Sequence, residues 1–420
     1  MPVLIPPFCP NPNCVFHNPD HPRFPGCSGC RRWYSQDGSY HTASRGIVRR
    51  FRCRACDASC SEQTFRLDYY VKRRISYRRI EQGITSCCGV RALGRSLGCS
   101  PGSVSNRVSR LARQYIAAHE RILAAVSLRE PLAADGFQSF AVSQYYPNNI
   151  HLLTGCDSQF LYFIDYVTIR RAGTMTKRQK RLRRALEQVY RADPGGIRRS
   201  FANLAAAIAK LADRSTLPCI TLWTDKKTAY REALSGIPAI RQRIIDHTFE
   251  HPTVSSRRAR DVHNPLFPVN YMDREFRKGL AEHVRESTRF ARNVNNSMER
   301  LWVYLGVHNY RKQFRLNTPI AERRFHAIEA GIDRQRIDEA LSNLYARRRF
   351  LTRESVRGCA RNLWLRRYST PLRGEDPQLL AKVRRLGAQG EINVQELRRQ
   401  MGISKSSYPK REYVPAYAFS

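Results

Sequence analysis

Acidic residues are scarce in this chain. Its 420 residues carry 35 Asp and Glu against 73 Lys and Arg, a formal net charge of +38. That excess raises self-repulsion in the folded state and attracts polyanions, so it does not suit a protein that handles only small neutral molecules. A polyphosphate partner accounts for it, because each Lys or Arg that neutralises a phosphate releases condensed counterions. Long apolar runs are also missing: none reaches the roughly 18 residues that a membrane helix needs. Hydrophobic residues still make up 42% of the chain, enough for real cores. Met1 to Pro10 is uncharged and cut by prolines, unlike a secretory signal. The expected location is therefore the cytoplasm, where thiols stay reduced. No repeat of fixed period is present.

Cysteine, by contrast, is concentrated. Seven of the 13 cysteines fall within residues 9–60, as Cys9-x4-Cys14, Cys27-x2-Cys30 and Cys53-x2-Cys56 with Cys60 left over. In a reducing compartment this spacing points to zinc rather than to disulfides. A CxxC knuckle places two thiolates close enough for one tetrahedral ion, and two knuckles close a structural site. Cys9, Cys14, Cys53 and Cys56 are the expected ligands, with Trp33–Phe51 forming the hairpin that brings the outer knuckles together. Cys27 and Cys30 are either spare or form a second site with His17, His21 or Cys60. Arg31, Arg32, Arg45, Arg49, Arg50, Arg52 and Arg54 crowd this module, interleaved with Trp33, Tyr34, Tyr40 and Phe51. Guanidinium groups and stiff aromatic area both suit a DNA contact.

The chain divides into four segments. Residues 1–68 form the cysteine module, 69–126 are helical, 130–330 alternate strand-like and helix-like runs, and 331–420 are helical again. The fold class predicted is multidomain, with an α/β segment at 130–330. Gly89–Leu111, GVRALGRSLGCSPGSVSNRVSRL, reads as a helix-turn-helix. Val90, Leu93 and Leu97 recur at helical spacing, Ala92 is the small residue for close helix approach, and Gly98 permits a left-handed turn. Ser100 suits the N-cap and Pro101 the first helical position. Val104, Val108 and Leu111 give the second helix its buried stripe, leaving Ser103, Ser105, Asn106, Arg107 and Arg110 for an outer face that enters the major groove. Arg107 and Asn106 are the expected base readers. The segment VQELRRQMGISKSSY, beginning at Val394, repeats the helix–Gly–Ser pattern as a weaker second copy.

Within the α/β segment, Ile150–Thr154, Phe160–Ile169, Cys219–Thr224 and Arg243–Phe249 read as strands. Residues 176–191, Ser200–Asp213 and Lys226–Leu234 read as helices. Two acids stand beside apolar strands in this basic chain. LAADGF places Asp135 at the end of a first strand, and LWTDKKTAY places Asp225 at the end of a short buried one. Carboxylates at adjacent strand ends can hold Mg²⁺ or Mn²⁺ through hard oxygen ligands. Such ions activate a water or a 3′-hydroxyl at a phosphodiester.

Together these motifs resemble a bacterial insertion-element transposase with a zinc ribbon, a helix-turn-helix and an RNase H-like DDE domain. The resemblance covers roughly residues 9–320 and rests on FCPNPNC, RRFRCRAC followed by QTF, the helix-turn-helix, ADGF, WTDKKTAY, and NPLFPVNYMDREFRKGLAEHVRESTRFARN leading to HNYRK. It implies a metal-dependent DNA strand transferase that acts on double-stranded element ends and target DNA as a homo-oligomer. Asp135 and Asp225 match the family's first two acids, although Gly136 stands where a further acid often follows the first. The third acid departs from the pattern. Counting back from FRKGL puts Asn270 at the family's Glu position. Asp273 lies one helical turn later on nearly the same face, whereas Glu275 points away by about 140° at about 100° per residue. Glu299 is a more distant candidate. Either Asp273 substitutes, or Asn270 completes the site, or catalysis is lost and an inert DNA-binding regulator remains. A nuclease that cleaves without joining fits the same residues.

Overall fold

The computed structural model describes residues 5–24, 32–255, 257–284, 289–390 and 392–403. Cys27, Cys30, Arg31, residues 285–288 of the third-acid motif and the end of the second helix–Gly–Ser pattern lie outside them. The architecture is mixed α/β, with 14 α-helices and two sheets among the described residues. None of these helices is long and apolar enough to cross a membrane.

The N-terminal sheet is a three-stranded antiparallel ribbon of β1 (Tyr34–Thr42), β2 (Gly46–Cys53) and β3 (Ser59–Ser61). Its core is small, built from Trp33, Tyr34, Phe51, Phe65 and the cysteines. Three of the four aromatics expected to face DNA are therefore buried: Trp33, Tyr34 and Phe51 hold the ribbon together. Tyr40 is half-buried, and its hydroxyl donates to Ser61 Oγ. Of the ribbon arginines, Arg32, Arg49, Arg50, Arg52 and Arg54 remain exposed.

Three helices follow: α1 (Tyr77–Thr85), α2 (Val90–Ser96) and α3 (Pro101–Leu123). Gly98 turns in the left-handed region at φ +59°, and the Ser100 side chain accepts from the Ser103 N–H at 3.1 Å, as the turn chemistry requires. The close approach occurs at Gly94 rather than Ala92, since a Cβ on Gly94 would lie 2.8 Å from the Cys99 carbonyl.

The second sheet has β4 (Leu132–Ala141), β5 (Ser143–Gly155) and β6 (Leu161–Thr168) as an antiparallel meander. On the other side of β4, β7 (Ile220–Asp225) runs parallel to it. Two short strands, β8 (Phe249–Glu250) and β9 (Thr253–Val254), pair with β7. Between β6 and β7 lie α4 (Lys177–Val189) and α5 (Gly196–Ala212); α6 (Thr228–Ser235) and α7 (Pro238–Ile245) follow β7. The strand expected over Arg243–Phe249 is thus the last three residues of α7, then a turn, with only Phe249 in a strand. Pro238 starts that helix at its first turn and Ile240 anchors it, so its β-branched end is helical. Asp135 is likewise interior to β4, not at its end.

Helices α8 (Phe267–Gly279), α9 (Val294–Tyr310), α10 (His326–Glu329), α11 (Arg334–Leu341) and α12 (Gly358–Trp364) complete the body. The period of two along a strand assigns its residues to two cores. Ala133, Phe137 and Ala141 of β4 pack with α1–α3, α8, α9 and α12, whereas Leu132 and Ala134 pack with α5, α6, α10 and α11. The first core therefore runs without a break from α1–α3 into the sheet and on to residue 364. Helices α13 (Pro377–Gln389) and α14 (Val394–Gln400) sit apart, packed on α4 through Leu182, Ala185, Leu379 and Val383.

Candidate functional site

Two groups of side chains stand out, and the simpler is sulfur. Cys9, Cys14, Cys53 and Cys56 bring all four Sγ atoms within 4.8 Å of one another. Cys9 and Cys56 are 3.6 Å apart, as are Cys14 and Cys53. The backbone N–H of Phe16 donates to Cys14 Sγ and that of Ala55 to Cys53 Sγ, both at 3.4 Å, the amide contacts of two knuckle turns. Burial pushes the Cys14 thiol up to about 11 and Cys9 higher still. Four thiolates gather in such a place when a cation compensates them, and the set fits a structural zinc ion. The residues considered for a second site are engaged elsewhere. His17 sits between the Cys9 carbonyl and Thr352 Oγ1, His21 Nδ1 accepts from the Arg23 N–H, and Cys60 is buried in the ribbon core.

The second group follows from strand register. In the parallel pair, Leu132 stands opposite Leu222 and Ala133 opposite Trp223. The same offset places Asp135 level with Asp225, just past the last paired residues. Asp135 shares its face with Ala133 and Phe137, and Asp225 shares its face with Trp223, which packs against the same core. That face is covered by α8, where Phe276 meets Phe137 edge-on at 5.6 Å. Asp273 projects from α8 into this space. Burial, then the charge of Asp135, pushes its carboxyl up to about 7. Asp225 is raised by the same two causes in the same order.

Lys227, in the turn between β7 and α6, was not foreseen from the sequence. Its Nζ donates to Asp135 Oδ1 at 3.0 Å and lies 2.9 Å from Asp225 Oδ2. Tyr230, stacked on Phe201 at 3.9 Å between ring centroids, donates to Asp135 Oδ1 at 3.3 Å. Gly136 suits this position, because a Cβ would run into the Asn149 side chain as it stands. An acid at 136 would have to displace that side chain. Asp225 Oδ1 and Asp273 Oδ1 are both buried without a hydrogen-bond partner, so each keeps an unused acceptor. Among the described residues, only the cysteine set brings three or more ligand atoms within 4.8 Å. The three carboxylates stay farther apart, as like charges do without a cation between them.

The other candidates fall elsewhere. Asn270 is half-buried one turn before Asp273, and its backbone N–H donates to the Leu266 carbonyl at 3.0 Å. Glu275 pairs with Lys312 and accepts from Tyr304. Glu299 is 3% exposed, accepts from Ser109 Oγ at 2.7 Å and pairs with Arg366. Breaking such a buried pair costs about 3–5 kcal/mol, so Glu299 has a structural task.

Arg107 and Arg110 need correction. Both are buried rather than on the outer face of α3. Arg107 donates to the Arg73 carbonyl at 3.1 Å, and Arg110 donates to the Leu67 and Tyr69 carbonyls at 2.9 Å each. The chain leading into α1 covers this face and takes both guanidinium groups. Asn106 stays exposed, Ser103 is half-buried, and Arg91 and Arg95 of α2 are exposed beside them.

The Asp273 shift has a measurable consequence. An acid whose folded pKa lies above its unfolded value favours the folded state fully below the unfolded value, about 3.8, and loses that contribution as pH rises through about 7. In zinc-replete protein free of other divalent ions, Asp273→Asn is therefore expected to melt above the unaltered protein at pH 8, by roughly 2 °C. The gap should close toward pH 4. A pH-independent gap would place the Asp273 carboxyl in solvent.

No protein-family model matches this chain, and no curated protein matches it either.

Proposed function

We propose that this protein is a DDE-type DNA transposase, a metal-dependent strand transferase that binds double-stranded element ends and joins them to target DNA. One observation carries this reading: Asp225 of β7 and Asp273 of α8 each lie close enough to Asp135 of β4 for its charge to raise their carboxyls, in a chain of net charge +38. The mixed sheet supports an RNase H-like domain, because it sets the first two acids level on neighbouring strands. The residues fit Mg²⁺ or Mn²⁺, since hard carboxylate oxygens lie unpartnered on two of the three acids. When bound, the ion supplies an activated water or 3′-hydroxyl and stabilises the leaving oxygen. The chain's own residues do the rest. Asp225 and Asp273 offer oxygens, the Lys227 ammonium and Tyr230 hydroxyl hold Asp135 in place, and Gly136 leaves room for Asn149 behind it.

The cysteine site is read as structural zinc, and the exposed arginines of the ribbon and of α2 as phosphate contacts. Action on two DNA ends implies a homo-oligomer on DNA, at the nucleoid. The deciding experiment incubates the protein with its own flanking DNA and Mg²⁺ or Mn²⁺ and looks for nicked and joined products. Cleavage without joining would make it a nuclease; neither would leave an inert DNA-binding regulator.

DNA binding has its own signature. Affinity should fall steeply with salt, as several phosphates are neutralised. With Arg107 and Arg110 committed to the fold, Asn106 is the remaining base reader among the residues named. Asn106→Ala is expected to weaken specific binding by about 1–3 kcal/mol while sparing non-specific DNA. Equal loss on all sequences, measured by competition titration, would demote Asn106 to a backbone contact.

A further inference from the structure

The oxygens of the carboxylate centre are unevenly occupied. Asp135 Oδ1 receives three donors: the Gly136 N–H at 2.7 Å, Lys227 Nζ at 3.0 Å and the Tyr230 hydroxyl at 3.3 Å. Asp225 Oδ2 faces the same ammonium at 2.9 Å. What remains is Asp225 Oδ1 and Asp273 Oδ1, both without partners, and Asp135 Oδ2, which no described hydrogen bond reaches. Asp135 and Asp225 thus keep one oxygen each, and no described hydrogen bond reaches either oxygen of Asp273. Two ions a few ångströms apart are normally clamped by a carboxylate that offers an oxygen to each. Here the second oxygen of Asp135 and of Asp225 is already taken.

We propose that the Lys227 ammonium is a resident cation of this centre, and that the centre therefore takes one divalent ion rather than two. The inference rests on the metal-dependent reading above and specifies it. Charge supports it: three carboxylates meet one ammonium and one doubly charged ion and are neutralised, whereas a second ion would leave an excess of positive charge. Placement supports it too. Lys227 is the N-cap of α6, and its stem passes the Tyr230 ring, with Nζ 4.9 Å from the ring centroid. The ring itself is fixed on Phe201. The ammonium is thus held between the two strands by its own helix. A lysine is a compact point charge with three donors, and all three have acceptors here in Asp135, Asp225 and Tyr230. A second ion would have to displace it from all of them.

The test counts ions. Full-length, zinc-loaded protein without DNA is titrated with Mn²⁺ at constant ionic strength, and free Mn²⁺ is read by electron paramagnetic resonance. The Asp135→Asn/Asp225→Asn protein defines the ions that belong to the centre. One such ion is expected in the unaltered protein and in Lys227→Arg, and two in Lys227→Met, with the first bound roughly ten-fold more tightly. Should Lys227→Met fail to fold by circular dichroism, Lys227→Gln removes the same charge while keeping a donor for Tyr230, and the same count is expected. Two ions in the unaltered protein, or a single ion of unchanged affinity once the ammonium is gone, would overturn the inference and leave the metal-dependent reading standing. No ion at the centre in any of these proteins would overturn both.

Discussion

Replacing Cys53 and Cys56 together by serine is expected to remove one equivalent of zinc per chain and to unfold residues 9–65. The ribbon has little else to hold it. Its core is eight buried residues, four of them the cysteines Cys9, Cys14, Cys53 and Cys60, of which the first three belong to the proposed zinc site. Zinc binding in modules of this kind is worth roughly 10–16 kcal/mol and is itself the folding free energy. With serine at 53 and 56, Cys9 and Cys14 remain as an isolated pair whose thiols burial pushes upward. The damage should spread along a defined route. Phe8 packs edge-on against Phe65 and Phe350 at 5.4 and 5.2 Å, and Leu67 N–H donates to the Ala346 carbonyl at 2.8 Å. Limited proteolysis should therefore cut first within the ribbon and next near residues 346–353. The sheet around β4–β7 should survive, since neither of its two cores includes a ribbon cysteine. Elemental analysis beside proteolysis decides the matter. Full retention of zinc by the double variant would transfer the site to other ligands.

Asp135→Asn, Asp225→Asn and Asp273→Asn are each expected to lower cleavage and joining of element-end DNA on the order of a thousand-fold while leaving DNA binding intact. Each exchange keeps the shape and removes a charge that a divalent ion needs. The three should behave alike, because one ion depends on one oxygen from each. The decisive comparison lies along α8 and α9. Asn270→Ala should be far milder than Asp273→Asn, since Asp273, and not Asn270, brings a carboxyl group near Asp135. Glu299→Gln should lower stability rather than the chemical step, because Glu299 is tied to Ser109 and Arg366. Single-turnover rates with saturating DNA, read beside urea midpoints, separate these effects. Were Asn270→Ala the more damaging change, the third position would revert to Asn270. Were the unaltered protein silent with both metals, the inert regulator would take its place.

Much of this was legible in local pattern. Cysteine spacing picked out Cys9, Cys14, Cys53 and Cys56, because a knuckle is a short-range structure whose geometry needs only a few residues. The turn at Gly98 and Ser100, with the stripe of Val104, Val108 and Leu111, follows from backbone conformation and a helical period. Asp225 at the end of a short apolar strand was readable for the same reason. Arg243–Ile245 misled because β-branched residues suit both a strand and a helix end.

What the sequence determined by itself is thus a set of local facts: a thiol cluster, a helical turn, strands with a period of two, and an excess of positive charge. Tertiary structure decided which of those groups meet. Arg107 and Arg110 lie on a face that periodicity alone leaves open, and only the packing of residues 67–73 closes it. Asp273 gained its place from α8 lying across the face that Asp135 and Asp225 share. Lys227 became part of the centre because parallel register sets β4 and β7 level at their acids, within reach of one ammonium. Periodicity reports which way a side chain leaves its own backbone; what it then touches depends on elements up to hundreds of residues away, whose docking is set by burial of both faces of the sheet.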